Sequence, residues 1–254
     1  MNGVVVLCRR ELVRFLRQPT RLVGSLAQPL LFWLFMGSGF SFSFNAFSTE
    51  ITYLQYFYPG IVLMLLLFAA IFSTITLIED RTAGFLQGVL VAPISRLSMV
   101  LGKLLGGTFI ALIQACIFLF FAPFAGIELA LGRAINLLFL FFLVGLGFTG
   151  LGFIIAWVVD STAGYHAIMS VVLIPLWLLS GALFPPEDSA AWLHWVIAFN
   201  PVSYGMTAIR YAFYEPLSSL AVNPDFLFAL LIALIWTTCT TVGSVLIVSR
   251  RPGG

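Results

Sequence analysis

The chain has 254 residues, 61% of them hydrophobic and only 9% charged, with a formal net charge of +2 and a mean hydropathy of +1.09. That balance excludes an ordinary soluble globular domain and points to an integral membrane protein. The small positive charge carries no nucleic-acid signature, because the arginines read as membrane-topology and lipid-headgroup signals.

Residues 2–18 are expected to form an amphipathic helix on the cytoplasmic membrane surface, with Arg10, Glu11, Arg14 and Arg17 as its candidate contact residues. Arg10, Arg14, Arg17 and Arg21 recur at helical spacing, and Val5, Leu12, Phe15 and Leu16 fall largely opposite. Such a helix serves either as a basic anchor for anionic lipid or as a dock for a partner. Pro19 is expected to end it. The apolar run at 4–7 is too short for a signal-peptide core and the arginines follow it, so no cleaved leader is expected.

A membrane-crossing helix needs about 20 apolar residues. Six uncharged stretches meet that length, 22–49, 51–78, 104–127, 134–159, 161–186 and 226–249, and spans are expected at 22–44, 57–78, 100–125, 134–159, 163–183 and 226–248. An all-α protein with six transmembrane helices is therefore expected. Between the second and third lies the loop 79–98, EDRTAGFLQGVLVAPISRLS. Residues 82–91 have the spacing of a short helix, in which Leu86 and Leu90 are four apart, as are Phe85 and Val89, giving one apolar ridge. Gly84 and Gly88 weaken it by about 1 kcal/mol each relative to alanine, and Pro93 stops it. The ridge either dips into lipid or meets a partner.

The fourth segment carries Gly145, Thr149, Gly152 and Ala156 at offsets of four, seven and eleven, and Gly102 and Gly106 form a similar pair at the start of the third. Both let another helix approach closely, within this chain or in a second copy. Residues 184–223 are expected to be an outer, re-entrant or interfacial segment. The uncharged window 189–209 contains His194, Asn200 and Pro201, and Trp192 and Trp195 are boundary aromatics. With six spans, ten of the twelve basic residues share one side, and only Arg133 and Arg210 fall on the other. The positive-inside rule then puts both termini in the cytoplasm.

No acidic or basic residue stands near the middle of any segment, which argues against an ion-coupled transporter. No catalytic serine–histidine, carboxylate-pair or metal-ligand spacing is present, and Gly102-Lys103 lacks the rest of a phosphate loop. Cys8, Cys116 and Cys239 have neither metal-ligand nor disulfide spacing. No catalytic residue, metal or cofactor of its own is expected.

The loop EDRTAGFLQGVLVAPISR resembles the cytoplasmic coupling segment of type-2 ATP-binding-cassette (ABC) exporter permeases. RRELVRFLRQPTRLVGSLAQPLLFWLFMGSG resembles that family's connecting helix and first span, and LSGALFPP with NPVSYGMTAIRY its outer region before the last span. The similarity covers nearly the whole chain and is nearest the small drug- and glycolipid-export types, those of daunorubicin resistance and nodulation factors. Gln87 departs from an acidic residue common in relatives, and Ala191 from a proline.

The resemblance implies a permease subunit in a bacterial cytoplasmic membrane, moving an amphiphilic or lipid-linked substrate outward. It implies a separate ABC ATPase that holds ATP and Mg, a homodimer of the permease or else a heterodimer with a similar membrane subunit, and contact with membrane lipid. The ATPase-coupling residues would be Glu79, Asp80, Arg81, Gly84, Phe85, Leu86, Leu90, Pro93 and Arg96. The outer gate candidates are Ser180, Gly181, Pro185, Asn200, Pro201, Tyr204 and Arg210. The competing reading is a non-transporting membrane scaffold or a lipid-modifying membrane protein.

Overall fold

In the computed structural model, which describes residues 3–39, 52–183 and 190–250, the chain is all-α, and no strand occurs among the described residues. Helix α1 (Gly3–Leu16) leads straight into α2 (Pro19–Gly39). The first helix ends at Leu16, before Pro19, and Pro19 opens the second. A proline in the first helical turn has no intrahelical bond to lose, and its φ is already helical.

The second span consists of α3 (Tyr53–Ser73) and α4 (Ile75–Thr82), which meet at Thr74. The helix expected across 82–91 is shorter. Gly84 stands at φ 74° and ψ −3°, and only then does α5 (Phe85–Val91) begin. A left-handed residue cannot lie inside a right-handed helix, and glycine adopts it without a β-carbon penalty. At the other end, Ala92 is extended because the ring of Pro93 excludes the helical region for the residue before it.

Helix α6 (Arg96–Leu119) starts where the Ser95 hydroxyl accepts from the Ser98 amide, and a 3₁₀ turn, Ala122–Ala125, follows it. Then come α7 (Leu131–Val158) and α8 (Thr162–Trp177), the latter running into a π turn at Leu178–Ala182. The window 189–209 holds parts of two helices, α9 (Ala191–Phe199) and α10 (Pro201–Tyr214), broken at Asn200. The short α11 (Leu217–Leu220) and the long α12 (Pro224–Arg250) complete the order. Among the described residues six helical stretches are long and apolar enough to cross a membrane: Leu22–Gly39, Tyr53–Thr82, Arg96–Leu119, Leu131–Val158, Thr162–Ala182 and Pro224–Arg250. Residues 40–44, expected to finish the first span, lie outside the described residues.

Helix α3 is apolar all round and occupies the centre, packed by α2, α6, α7 and α10. Buried polar tips are satisfied there. Trp33 donates its indole N–H to the Leu54 carbonyl at 3.0 Å, and the Tyr58 hydroxyl donates to the Phe118 carbonyl at 2.6 Å. The small-residue stripe of α7 is consumed inside the chain: Gly145 faces Thr108 and Ala111 of α6, and Gly152 faces Ile71 and Thr74 at the α3–α4 junction. Helices α2, α8 and α12 instead leave most of their apolar surface uncovered.

Candidate functional site

Helix α1 lies against the start of α6, and glycine makes that contact possible. A β-carbon on Gly102 would stand 2.7 Å from the β-carbon of Leu7, and one on Gly106 would stand 2.8 Å from that of Glu11. The face that α1 buries is Leu7, Glu11 and Phe15, at successive offsets of four. Val5 and Leu16, expected on the apolar face, are exposed. The glycine groove on α6 selects the face, and it carries a carboxylate inward because a cation waits there.

That cation is Lys103. Its ammonium bonds Glu11 Oε1 at 2.7 Å, bonds Asp80 Oδ2, and reaches the Thr76 hydroxyl at 3.4 Å. Asp80 is held on its other side by Arg10 through a two-point pair, Nη1 to Oδ2 at 2.8 Å and Nη2 to Oδ1 at 2.7 Å. Arg14 adds a 3.2 Å bond to Asp80 Oδ1 and pairs with Glu79. Three cations thus meet three carboxylates, and Glu11, Asp80 and Lys103 are no more than 7% exposed. The bond to Asp80 raises the already high pKa of the Arg10 guanidinium, so it stays charged. A buried charge is tolerable only when it is paired, and each of Glu11, Asp80 and Lys103 has an opposite charge at hydrogen-bond distance. This node ties α1, α4 and α6 into one unit.

Helix α5 hangs from the node. The Arg10 guanidinium lies 3.8 Å from the centroid of the Phe85 ring, a cation–π contact. Phe85 keeps 38% of its surface exposed, Val91 keeps 86%, and Leu86 turns into the chain's own core at 4%. The ridge expected to be free on both rows therefore spends Leu86 internally; the side chain of Leu90 lies outside what the structure describes.

Two more residues of the loop bind neighbouring helix ends. Arg81 donates to the carbonyls of Trp157 at 2.8 Å and Val159 at 3.3 Å, and pairs with Asp160 at 3.2 Å. Arg96 donates to the carbonyls of Val248 and Ser249 at 3.3 and 3.2 Å. Both arginines satisfy the open carbonyls and the negative end of a span, α7 and α12 respectively. Arg17 is exposed with no ion pair among the described residues, and Pro93 is exposed after α5.

The outer gate candidates gather at the opposite end of the bundle. Gly181, at φ 80°, breaks the π turn, and its carbonyl accepts from Arg210 at 2.6 Å and from the Tyr56 hydroxyl at 3.4 Å. The guanidinium of Arg210 also sits 4.4 Å from the centroid of the Tyr56 ring. The Asn200 amide donates to the carbonyls of Leu176 and Leu179 at 2.7 and 3.0 Å, while its oxygen accepts from Val202 at the start of α10. Pro201 occupies the first turn of α10. The Ser180 hydroxyl donates to Trp177, and that of Tyr204 to Ala198. Pro185 lies outside the described residues.

Sequence reasoning missed Lys103 and misread Glu11. Lys103 was taken as a topology signal, yet it is the one cation of α6 past its first residue, Arg96, and Glu11 is the sole acid of α1. An opposite pair isolated in this way on two helices that face each other was the available signal. Among the described residues no group of His, Cys, Asp and Glu could hold a metal ion.

The family model described as ABC-2 type transporter matches residues 2–214, a stretch that takes in both the node and the polar cluster at the far end. The candidate transport permease ycf38 of Cyanophora paradoxa is 31% identical over 216 residues, covering 84% of this chain and 74% of that protein. The daunorubicin resistance ABC transporter permease protein DrrB1 of Streptomyces coeruleorubidus is 27% identical over 207 residues, 79% of this chain and 71% of its own. Nodulation protein J of Neorhizobium galegae is 25% identical over 223 residues, 83% and 80% respectively.

Proposed function

We propose that this chain, which belongs to the ABC-2 type transporter family, is the membrane permease subunit of an ATP-driven exporter that carries an amphiphilic or lipid-linked substrate, a drug, lipid or glycolipid, outward. ATP and Mg are then held by a separate ABC ATPase, since this sequence carries no phosphate loop. The observation that carries the reading is the exposed apolar tip of α5, Phe85 and Val91, strapped by Arg10 to the node. A short helix with an exposed aromatic suits a groove on a partner. A displacement there reaches α4 through Gly84, and α1 and α6 through Arg10, Asp80 and Lys103.

The excess of arginine at the node end argues, by the positive-inside rule, for a cytoplasmic node with both termini on that side of a bacterial inner membrane. The uncovered faces of α2 and α8 suit a homodimer with a pathway between the copies, lipid covering the remainder. The polar cluster around Gly181, Asn200 and Arg210 would then be the outer gate. Helix α1 would rest at the cytoplasmic interface. The test is purification in mild detergent from the native host: a stoichiometric ABC ATPase retained by the wild-type chain is expected. Its loss when Phe85 and Val91 are both changed to serine, at unchanged permease level, completes the case. Retention by that variant would remove α5 from the contact.

A further inference from the structure

Beside the node a cleft of about 400 Å³ opens between α1–α2 on one side and α3–α4 on the other, with α6 at its back. Its mouth is lined by Arg14 and Glu79, which pair with each other and so present a polar but balanced rim, and the buried Glu11 also lines it. Its α3 wall is apolar over Met64, Leu65, Phe68, Ala69 and Phe72. At its deep end stands Gln114 of α6, only 2% exposed, whose carbonyl oxygen Oε1 is buried without a hydrogen-bond partner among the described residues.

An orphaned buried acceptor costs free energy, and a glutamine at that depth has no reason to persist for packing alone. Its level is fixed by the register of α3 and α6. Gly107 lies beside Ser73, and the Phe118 carbonyl receives Tyr58, so Gln114 between them is level with Met64 and Leu65. From Glu79 at the mouth to Leu65 is fourteen residues, about 21 Å at the helical rise of about 1.5 Å per residue. Along α3 and α6 the lining therefore runs from a polar rim through an apolar stretch to the buried acceptor of Gln114. Ser25 and Gln28 of α2 and His166 of α8 add polar groups on the facing walls.

We propose that this cleft binds one drug-sized amphiphile, its polar end at the Arg14–Glu79 rim, its apolar body against Phe68 and Phe72, and a hydroxyl group at its buried end donating to Gln114. The volume falls within the range of drug-sized sites. The site rests on the exporter reading only in making this occupant a transported substrate; the binding itself needs no ATPase. Gln114 is a specificity-determining residue in this scheme.

The test uses purified full-length protein in detergent and two probes that differ only at the far end of the chain, 16-hydroxyhexadecanoic acid and hexadecanoic acid, so that headgroup effects cancel. Wild type is expected to prefer the hydroxy acid by about tenfold, the scale of one satisfied buried hydrogen bond. Gln114→Leu and the slimmer Gln114→Met should lose that preference. Each should also melt higher than wild type without ligand, which a glutamine needed for packing would not allow. Phe68→Trp, narrowing the wall, should weaken both probes together. Equal binding of the two acids by wild type, or a preference kept by both Gln114 variants, overturns the site. So does a disulfide joining Phe68→Cys in two copies, which would put a second copy in the cleft. ATPase capture is scored separately: an intact preference with no capture sinks the exporter reading and leaves the cleft standing.

Discussion

Arg10 of α1 and Asp80 of α4 lie face to face in a two-point guanidinium–carboxylate pair with N–O distances of 2.7 and 2.8 Å, seventy residues apart in sequence. Such forked pairs are among the stronger charge-assisted contacts, and this one fixes orientation as well as distance. Asp80→Asn leaves three cations facing two carboxylates in a buried setting. It should destabilise the chain by about 3–5 kcal/mol, the cost of an uncompensated buried charge. Adding Lys103→Gln restores the balance and should recover a large part of the loss. A double-mutant cycle on detergent-solubilised protein, followed by thermal unfolding, measures the coupling. Additive losses would mean that the two side chains act independently.

Gly106→Val should lift α1 from α6, because its β-carbon would already meet Glu11 at 2.8 Å. Cys8 reports the movement. Burial, then the neighbouring Glu11 carboxylate, push the Cys8 thiol above its usual pKa, so little thiolate is present near neutral pH. Maleimide labelling of Cys8, with Cys116 and Cys239 replaced by serine, should be slow in the wild type and several-fold faster in the variant. Raising pH should accelerate the wild type more steeply. Equal rates at every pH would show α1 unmoved.

Phe85→Ala should weaken ATPase retention by about 1–3 kcal/mol, as loss of an aromatic anchor does, while membrane insertion stays normal. Gly84→Ala meets no neighbouring atom, yet forces an L residue into the left-handed region at a cost of about 1–2 kcal/mol. It should therefore loosen α5 through the backbone alone. Quantified co-purification at matched permease levels distinguishes the two. Wild-type retention by both variants would leave α5 without a coupling role.

Asn200→Ala removes the cap of α10 and strips a donor from the Leu176 and Leu179 carbonyls. Stability should fall by about 2 kcal/mol. Asn200→Asp keeps the cap acceptor but cannot donate, so it should also melt lower than the wild type. If both variants melt with the wild type, the α8–α10 junction is held by packing instead.

The six apolar helices were legible because hydrocarbon imposes one requirement on every spanning stretch, a run of apolar residues without charge. Gly84 was legible as a helix-weakening residue but not as the helix boundary, because its left-handed backbone is set by where α4 already points. The destinations of Arg81 and Arg96 were hidden for a different reason. Each binds carbonyls of a helix end whose position depends on the whole packing, and an arginine in a loop carries no local mark of which end it will meet. The polar cluster around Gly181 and Asn200 falls within the quoted stretches LSGALFPP and NPVSYGMTAIRY, yet its hydrogen bonds run to main-chain carbonyls that no residue pattern encodes.

The node also constrains how the chain can be made. Glu11 and Lys103 are separated by 92 residues, and Arg96 reaches Ser249 across 153. At a synthesis rate of about 5–20 residues per second, Glu11 waits about 5–18 s for its cation to emerge. Through that interval a nascent α1 must keep its carboxylate in water, and it can settle on α6 only once the third span has entered the bilayer. The last turn of α12 is clasped later still. Ribosomal stalling or truncation between these two moments would leave a chain already locked at its start and still open at its end, an intermediate that quality-control proteases could recognise by an unclasped Arg96.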